Sequence, residues 1–134
     1  MGYTHYWTIT KPSTEQAQQF VSDVNEIIAA TQVELRREYD RPGTAPEVTT
    51  SSIAFNGVDD DGHETFYIDL ENGGGDFCKT AEKPYDEVVT AILIRAAITL
   101  GAEVRSDGYW NEWGPGRDLY TKVFGDAPDS ILPR

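Results

Sequence analysis

His63-Glu64-Thr65 sets a histidine and a threonine two residues apart, and on an extended segment such side chains share one face. A ring nitrogen beside a hydroxyl can hold a phosphate oxygen and move a proton, as in the two-histidine phosphoesterases. Those enzymes use two such triplets. The other histidine of this chain lies in His5-Tyr6-Trp7, where the threonine is missing, so half of the motif is present. His5 reads either as its partner or as a hydrogen-bonded core histidine. Lys79 and Thr80 stand just before a helix opened by Pro84 and Tyr85. A helix start offers unpaired N–H groups and a positive dipole, and a lysine adds charge, so this place suits a phosphate or carboxylate. Asn56-Gly57 and Ser106-Asp107-Gly108 bring further polar side chains, although both strings also form ordinary turns.

Other candidates are weaker. Cys78 is the only cysteine, which excludes an internal disulfide and any zinc site built from several thiolates. Beside Phe77 it reads as a small core residue, with a thiol activated by Lys79 as the alternative. Asp59, Asp60 and Asp61 are acidic enough for a divalent cation but lack the spacing of a calcium loop, so no metal is expected. There is no Gly-rich phosphate loop, zinc-binding helix motif or nucleophile elbow, and no cofactor is implied.

The elements that must position these residues follow from periodicity. Residues 3–10 alternate as a strand. Ser13 and Gln16 form a capping box for a helix over 13–31 with the stripe Phe20, Val21, Val24, Ile27 and Ile28. Val33 and Leu35 fit a helical extension or a short strand. Residues 40–50, with Pro42, Gly43 and Pro46, read as a mobile loop. Strands are expected at 51–56, 63–70 and 76–80, joined by turn-rich segments into an antiparallel meander. A helix over 84–100 is apolar on most sides and ends at Gly101, which makes it the central buried helix. A strand at 102–105, a turn, and a helix at 117–124 complete a single α+β domain over 1–125, a two-layer sandwich of mainly antiparallel sheet with helices packed on it; 126–134 is expected to be a loosely held tail. With this connectivity Asn56, His63, Thr65, Lys79, Thr80, Tyr85, Ser106 and Asp107 reach one end of the sheet. Tyr3, Tyr6, Trp7, Tyr85, Trp110 and Trp113 supply aromatic surface on which a base could stack.

The 134 residues suit one domain, and a hydrophobic share of 39% excludes wholesale disorder. No apolar run reaches the roughly 18 residues that span a bilayer, and residues 1–9 lack the pattern of a signal peptide. A cytoplasmic location without membrane association is therefore expected. A net charge of -12 disfavours nonspecific binding to nucleic acid; it fits solubility, a docking face for a basic protein, or mimicry of DNA charge.

Gly2-Tyr3-Thr4-His5-Tyr6-Trp7, Phe55-Asn56-Gly57, His63-Glu64-Thr65-Phe66, Phe77-Cys78-Lys79-Thr80-Ala81, Lys83-Pro84-Tyr85-Asp86 and Ser106-Asp107-Gly108 form a set. It resembles a family of small uncharacterised proteins of phages and bacteria, over most of the chain except residues 40–50 and the tail. The resemblance implies no particular activity. A phage setting implies interference with host defence, including capture of nucleotide signals in the host cytoplasm. Three functions stand open: a protein that sequesters a small nucleotide-like ligand, a phosphodiesterase-type enzyme using His63 and Thr65, and an acidic protein-binding inhibitor. Assembly of the chain with copies of itself is also left open.

Overall fold

Threonines alternating with histidine, tryptophan and isoleucine extend the segment Thr4–Ile9 into strand β1, with His5, Trp7 and Ile9 buried and Tyr6 and Thr8 outside. The computed structural model describes residues 3–133. Helix α1, Thr14–Ala30, opens on the expected capping box: Gln16 N donates to Ser13 Oγ at 3.1 Å, and Ser13 N donates to Gln16 Oε1 at 2.9 Å. Phe20, Val24 and Ile27 carry its stripe into the core.

Strands β2 (Glu47–Val48), β3 (Ser52–Phe55), β4 (Phe66–Asp69) and β5 (Gly74–Lys79) follow, then helix α2 (Asp86–Leu100), strand β6 (Glu103–Ser106) and helix α3 (Gly114–Phe124). They give an α+β domain with two antiparallel sheets, ordered β5-β1-β6 and β2-β3-β4. Val88, Val89, Ala91, Ile92, Leu93 and Ile94 are all fully buried, so α2 is the helix about which the core is built. Gly101, at φ 67°, ends it in the left-handed cap expected of glycine.

One expectation fails. The three strands at 51–56, 63–70 and 76–80 do not form one meander: β3 and β4 pair, but β5 crosses to the other sheet and pairs with β1. The turn between β4 and β5 explains it. Asp69 Oδ1 accepts from Glu71 N at 3.0 Å and from Asn72 N at 2.9 Å, and Gly73 and Gly74 then take φ of 74° and 107°. A side chain on Gly73 would meet Lys11 N at 2.7 Å, so only glycine lets the chain brush the end of β1 before pairing with it. Smaller differences are local. His63 and Thr65 precede β4, residues 84 and 85 form a turn ahead of α2, and α3 begins at Gly114 with Pro115 in its first turn. The loop 40–50 contains β2, and Arg36 makes an isolated bridge to Asn56 beyond Val33 and Leu35.

Helices α2 and α3 touch where Gly116 faces Thr90; a Cβ at Gly116 would collide with the Thr90 hydroxyl and lie 3.2 Å from Glu87 O. Gly116→Val should therefore cost about 1–3 kcal/mol of stability by overpacking. A shift of the denaturant midpoint at unchanged slope measures it; an unaltered midpoint would mean that the two helices do not meet at this residue.

Candidate functional site

On the inner face of the sheet β5-β1-β6, the register places Cys78, His5 and Ser106 in one cross-strand row. His5 is wholly buried. Its Nε2 lies 2.6 Å from Asp86 Oδ1 at the start of α2, and its Nδ1 lies 2.8 Å from Ser106 Oγ. Thr80 Oγ1 donates to the same Asp86 oxygen. Gly108 N donates to Ser106 Oγ at 2.9 Å and Trp113 Nε1 donates at 3.2 Å. Those two donors occupy both lone pairs of the serine oxygen, so its own proton goes to His5 Nδ1 and the ring donates through Nε2–H to Asp86. Tyr3 and Trp113 pack their edges and faces on the imidazole, each with ring centroids 5.1 Å away.

The row of Asp, His and Ser has the connectivity of a hydrolase triad, but a nucleophile needs a lone pair free to attack, and Ser106 has none to spare. The arrangement is a clamp. It fixes β1, β6, α2 and the 3-10 turn Trp110–Trp113 to one another through a single ring.

The expected site residues divide between this clamp and a second hub. Thr80 and Ser106 belong to the clamp. Asp107 continues the β1–β6 pairing, its backbone N donating to Thr4 O at 2.9 Å while its carboxylate accepts from Thr4 N at 3.0 Å. Asn56 is the second hub: its Oδ1 accepts from Gly57 N and His63 N, and its Nδ2 donates to His63 O and Thr65 Oγ1. Every bonding position of that amide is used, three on the loop 57–63 and one on Thr65, while His63 and Thr65 remain exposed. The two hubs adjoin through Glu64. Its N donates to Lys79 O at 3.2 Å, its carboxylate accepts from Lys79 N at 2.9 Å, and its carbonyl accepts from the buried Tyr85 hydroxyl. Lys79 itself is exposed on the outer face of the sheet.

Two cavities lie on opposite sides of β1. The smaller, about 250 Å³, sits over the start of α2 and is lined by Tyr3, Glu82, Asp86, Glu87, Glu112 and Trp113 among others. Carboxylates already stand where a phosphate was expected, and they complement the helix dipole themselves. Burial, and then the neighbouring Asp86 charge, raise the Glu87 carboxyl above its ordinary range.

The larger cavity, about 990 Å³, is a groove across the outer face of β5-β1-β6, walled on one side by Ser130, Ile131, Leu132 and Pro133 of the tail. The register puts Phe77, Tyr6 and Arg105 in one row of that face. Phe77 is 50% exposed and Tyr6 39%, with ring centroids 6.4 Å apart. Arg105 and Lys79 have no ion-pair partner within 4 Å among the described residues. Tyr6 was anticipated as stacking surface, whereas Phe77 and Arg105 were not. The signal was present: adjacent residues of a strand face opposite ways, so a buried Cys78 obliges Phe77 to point outward.

Among the described residues no group of three or more His, Cys, Asp or Glu is placed to hold a metal ion, and no helix is long and apolar enough to cross a membrane. Comparison with family models, curated proteins and solved structures finds no match to this chain.

Two measurements test the inner face. Asp86→Ala strands the Nε2–H of a buried imidazole and the Thr80 hydroxyl, so it should cost about 1–3 kcal/mol in denaturant unfolding; a neutral result would remove the clamp as a structural constraint. The second concerns alkali. Burial, reinforced by the charges of Glu64, Asp86 and Asp76, pushes the Cys78 thiol up from 9.0 to about 12. Burial likewise pushes the Tyr85 hydroxyl upward, with the Cys78 sulfur as the next cause. Both groups keep protons in the folded chain that the unfolded chain releases. Their stabilisation is complete below pH 9.0 and, for Cys78, is lost as pH rises toward 12. Stability should fall by about 1.4 kcal/mol per pH unit for each such group once the unfolded group ionises. Cys78→Ala should flatten the first part of that decline, and an equal slope in both proteins between pH 9 and 10 would contradict the assignment.

Proposed function

We propose that this protein binds a small, flat, anionic ligand of nucleotide type in the groove on the outer face of β5-β1-β6, and captures it without converting it. The observation that carries the reading is the row Phe77–Tyr6–Arg105: two exposed rings beside a guanidinium with no ion-pair partner among the described residues, set in a cavity of about 990 Å³. That volume lies at the upper end of the range for sites that enclose small molecules. Exposed aromatic rings on a sheet give a base a stacking surface that tolerates any base identity. Arg105, with Lys79 further along the same face, gives a phosphate its charge-assisted partners in a chain that is otherwise strongly acidic. Thr8 and Ser130 offer hydroxyls within the groove. Sequestration of a nucleotide signal, the role to which the phage resemblance points, needs such a surface and no activated nucleophile.

Capture is favoured over turnover by the state of the acid–base candidates. His5 is enclosed by Asp86, Ser106 and two aromatic rings, and Thr65 accepts from Asn56. His63 is exposed, but neither it nor His5 or Thr65 lines the groove.

The test is to incubate the pure protein with a panel of mono-, di- and cyclic nucleotides, denature it, and identify what is released. An intact nucleotide is expected. Tyr6→Ala and Phe77→Ala should each weaken its binding by about tenfold to a hundredfold in titration calorimetry. A chemically altered nucleotide would instead identify an enzyme. Retention of no nucleotide, or affinity indifferent to both variants, would remove the groove as the site.

A further inference from the structure

The sheet β5-β1-β6 has two edges, and they are finished differently. Asp107 N donates to Thr4 O, which makes that pair, and every second pair along β1 and β6, the hydrogen-bonded kind. Tyr6 with Arg105 and Thr8 with Glu103 are therefore bonded across the two strands. The N–H and C=O groups of Val104 and Ser106 point the other way, off the sheet, and have no hydrogen-bond partner among the described residues. The β5 edge is different. There Lys79 is paired with Glu64 from both its N and its O, and Phe77 N is taken by the Asp76 carboxylate at 2.7 Å. Edges closed in this way resist strand addition, whereas an edge with an open row of donors and acceptors invites it.

The β6 edge is flanked by the tail. The groove of about 990 Å³ runs between Ala102–Arg105 and Ser130–Pro133, and a further cavity of about 540 Å³ lies between the residues after Arg105 and the same tail segment. The tail's described hydrogen bonds beyond Gly125 are internal, from Ser130 Oγ to Leu132 O and from Leu132 N to Ser130 Oγ. It rests on the domain through side chains such as Ile131 and Leu132, so a strand that offers backbone bonds can take its place.

We infer that the strand which does so is β6 of a second copy, joining two sheets edge to edge about a two-fold axis. The segment Glu103-Val104-Arg105 is complementary to itself. With Val104 opposite its symmetry mate in an antiparallel pair, the two valines exchange both N–H···O bonds, and Ser106 N can donate to Ala102 O of the other copy. In that register Glu103 faces Arg105 of the other copy and Arg105 faces its Glu103, so both exposed charges are matched on the outer face. A two-fold interface uses one patch against itself, which a self-complementary strand satisfies. The dimer lays the two aromatic rows in one six-stranded surface. Displacing the tail removes the Ser130–Pro133 wall of the groove and pairs Arg105, so the dimer and the ligand-bound groove are alternatives, and the dimer is tested without ligand.

Sedimentation or light scattering on the full-length chain, over a concentration series extending to the millimolar range, should reveal a reversible monomer–dimer equilibrium. Glu103→Arg and Arg105→Glu each set like charges against one another at both symmetry-related pairs and should raise the dimer Kd by about tenfold. The double swap E103R/R105E restores opposite charges and should bring dimerisation back. Both side chains are exposed, so folding is retained, and circular dichroism checks this. Hydrogen exchange supplies an independent readout: the amides of Val104 and Ser106 should gain protection as the concentration rises. A chain that stays monomeric throughout overturns the inference. So does a dimer that ignores the single reversals, a double swap that fails to restore it, or assembly without protection at those two amides.

Discussion

The structure turns on a buried imidazole with a partner at each nitrogen. His5 sits in the central strand of its sheet, Asp86 opens the buried helix, and Ser106 ends the strand on the other side. An imidazole taken out of water without those partners would cost several kcal/mol, whereas satisfied on both sides it holds three elements in one geometry. Trp113 joins through the same serine oxygen, so the 3-10 turn ahead of α3 is tied to the arrangement as well. The polar network thereby specifies which strand lies beside which helix, a choice that apolar side chains alone make less sharply.

Because β1 is held this way, its two faces do different work. The inner face is given to His5, Trp7 and Ile9, which pack toward the helices, and the outer face to Thr4, Tyr6 and Thr8. Rings left exposed on the outer face have no helix to cover them, and the tail borders them on one side only. The acidic cleft above α2 and the mixed groove across the sheet share no lining residue, and they differ in character. The first is crowded with carboxylates, and the second sets the rings of Tyr6 and Phe77 and the Arg105 guanidinium beside Asp76 and Glu103.

Much of this was legible from residues close in the chain. The capping box of Ser13 and Gln16, the apolar girth of α2, the glycine stop at Gly101 and the alternation of β1 are all local, and each stands in the structure where periodicity put it. What was not legible is relational. The partners of His5 lie 81 and 101 residues away, and no local pattern names them. The destination of β5 depended on two glycines with positive φ, which signal a turn but not its direction. The candidate residues divide between two hubs and the outer face of the sheet, and Asn56, Thr80 and Tyr85 spend their polar atoms on internal bonds, because burial demands a partner for each of them.

The sheet order β5-β1-β6 also bears on how the chain is made. The strand at its centre leaves the ribosome before both of its neighbours, and Ser106 follows His5 by 101 residues. At ~5–20 residues per second, β5 reaches β1 only after several seconds, and β6 later still. Closing so large a loop is slow in entropic terms and gives this sheet a high contact order. Until β5 is made, Trp7 and Ile9 of a nascent chain have no strand beside them, so the pairing of this sheet follows, and cannot precede, synthesis of the segment that carries β5.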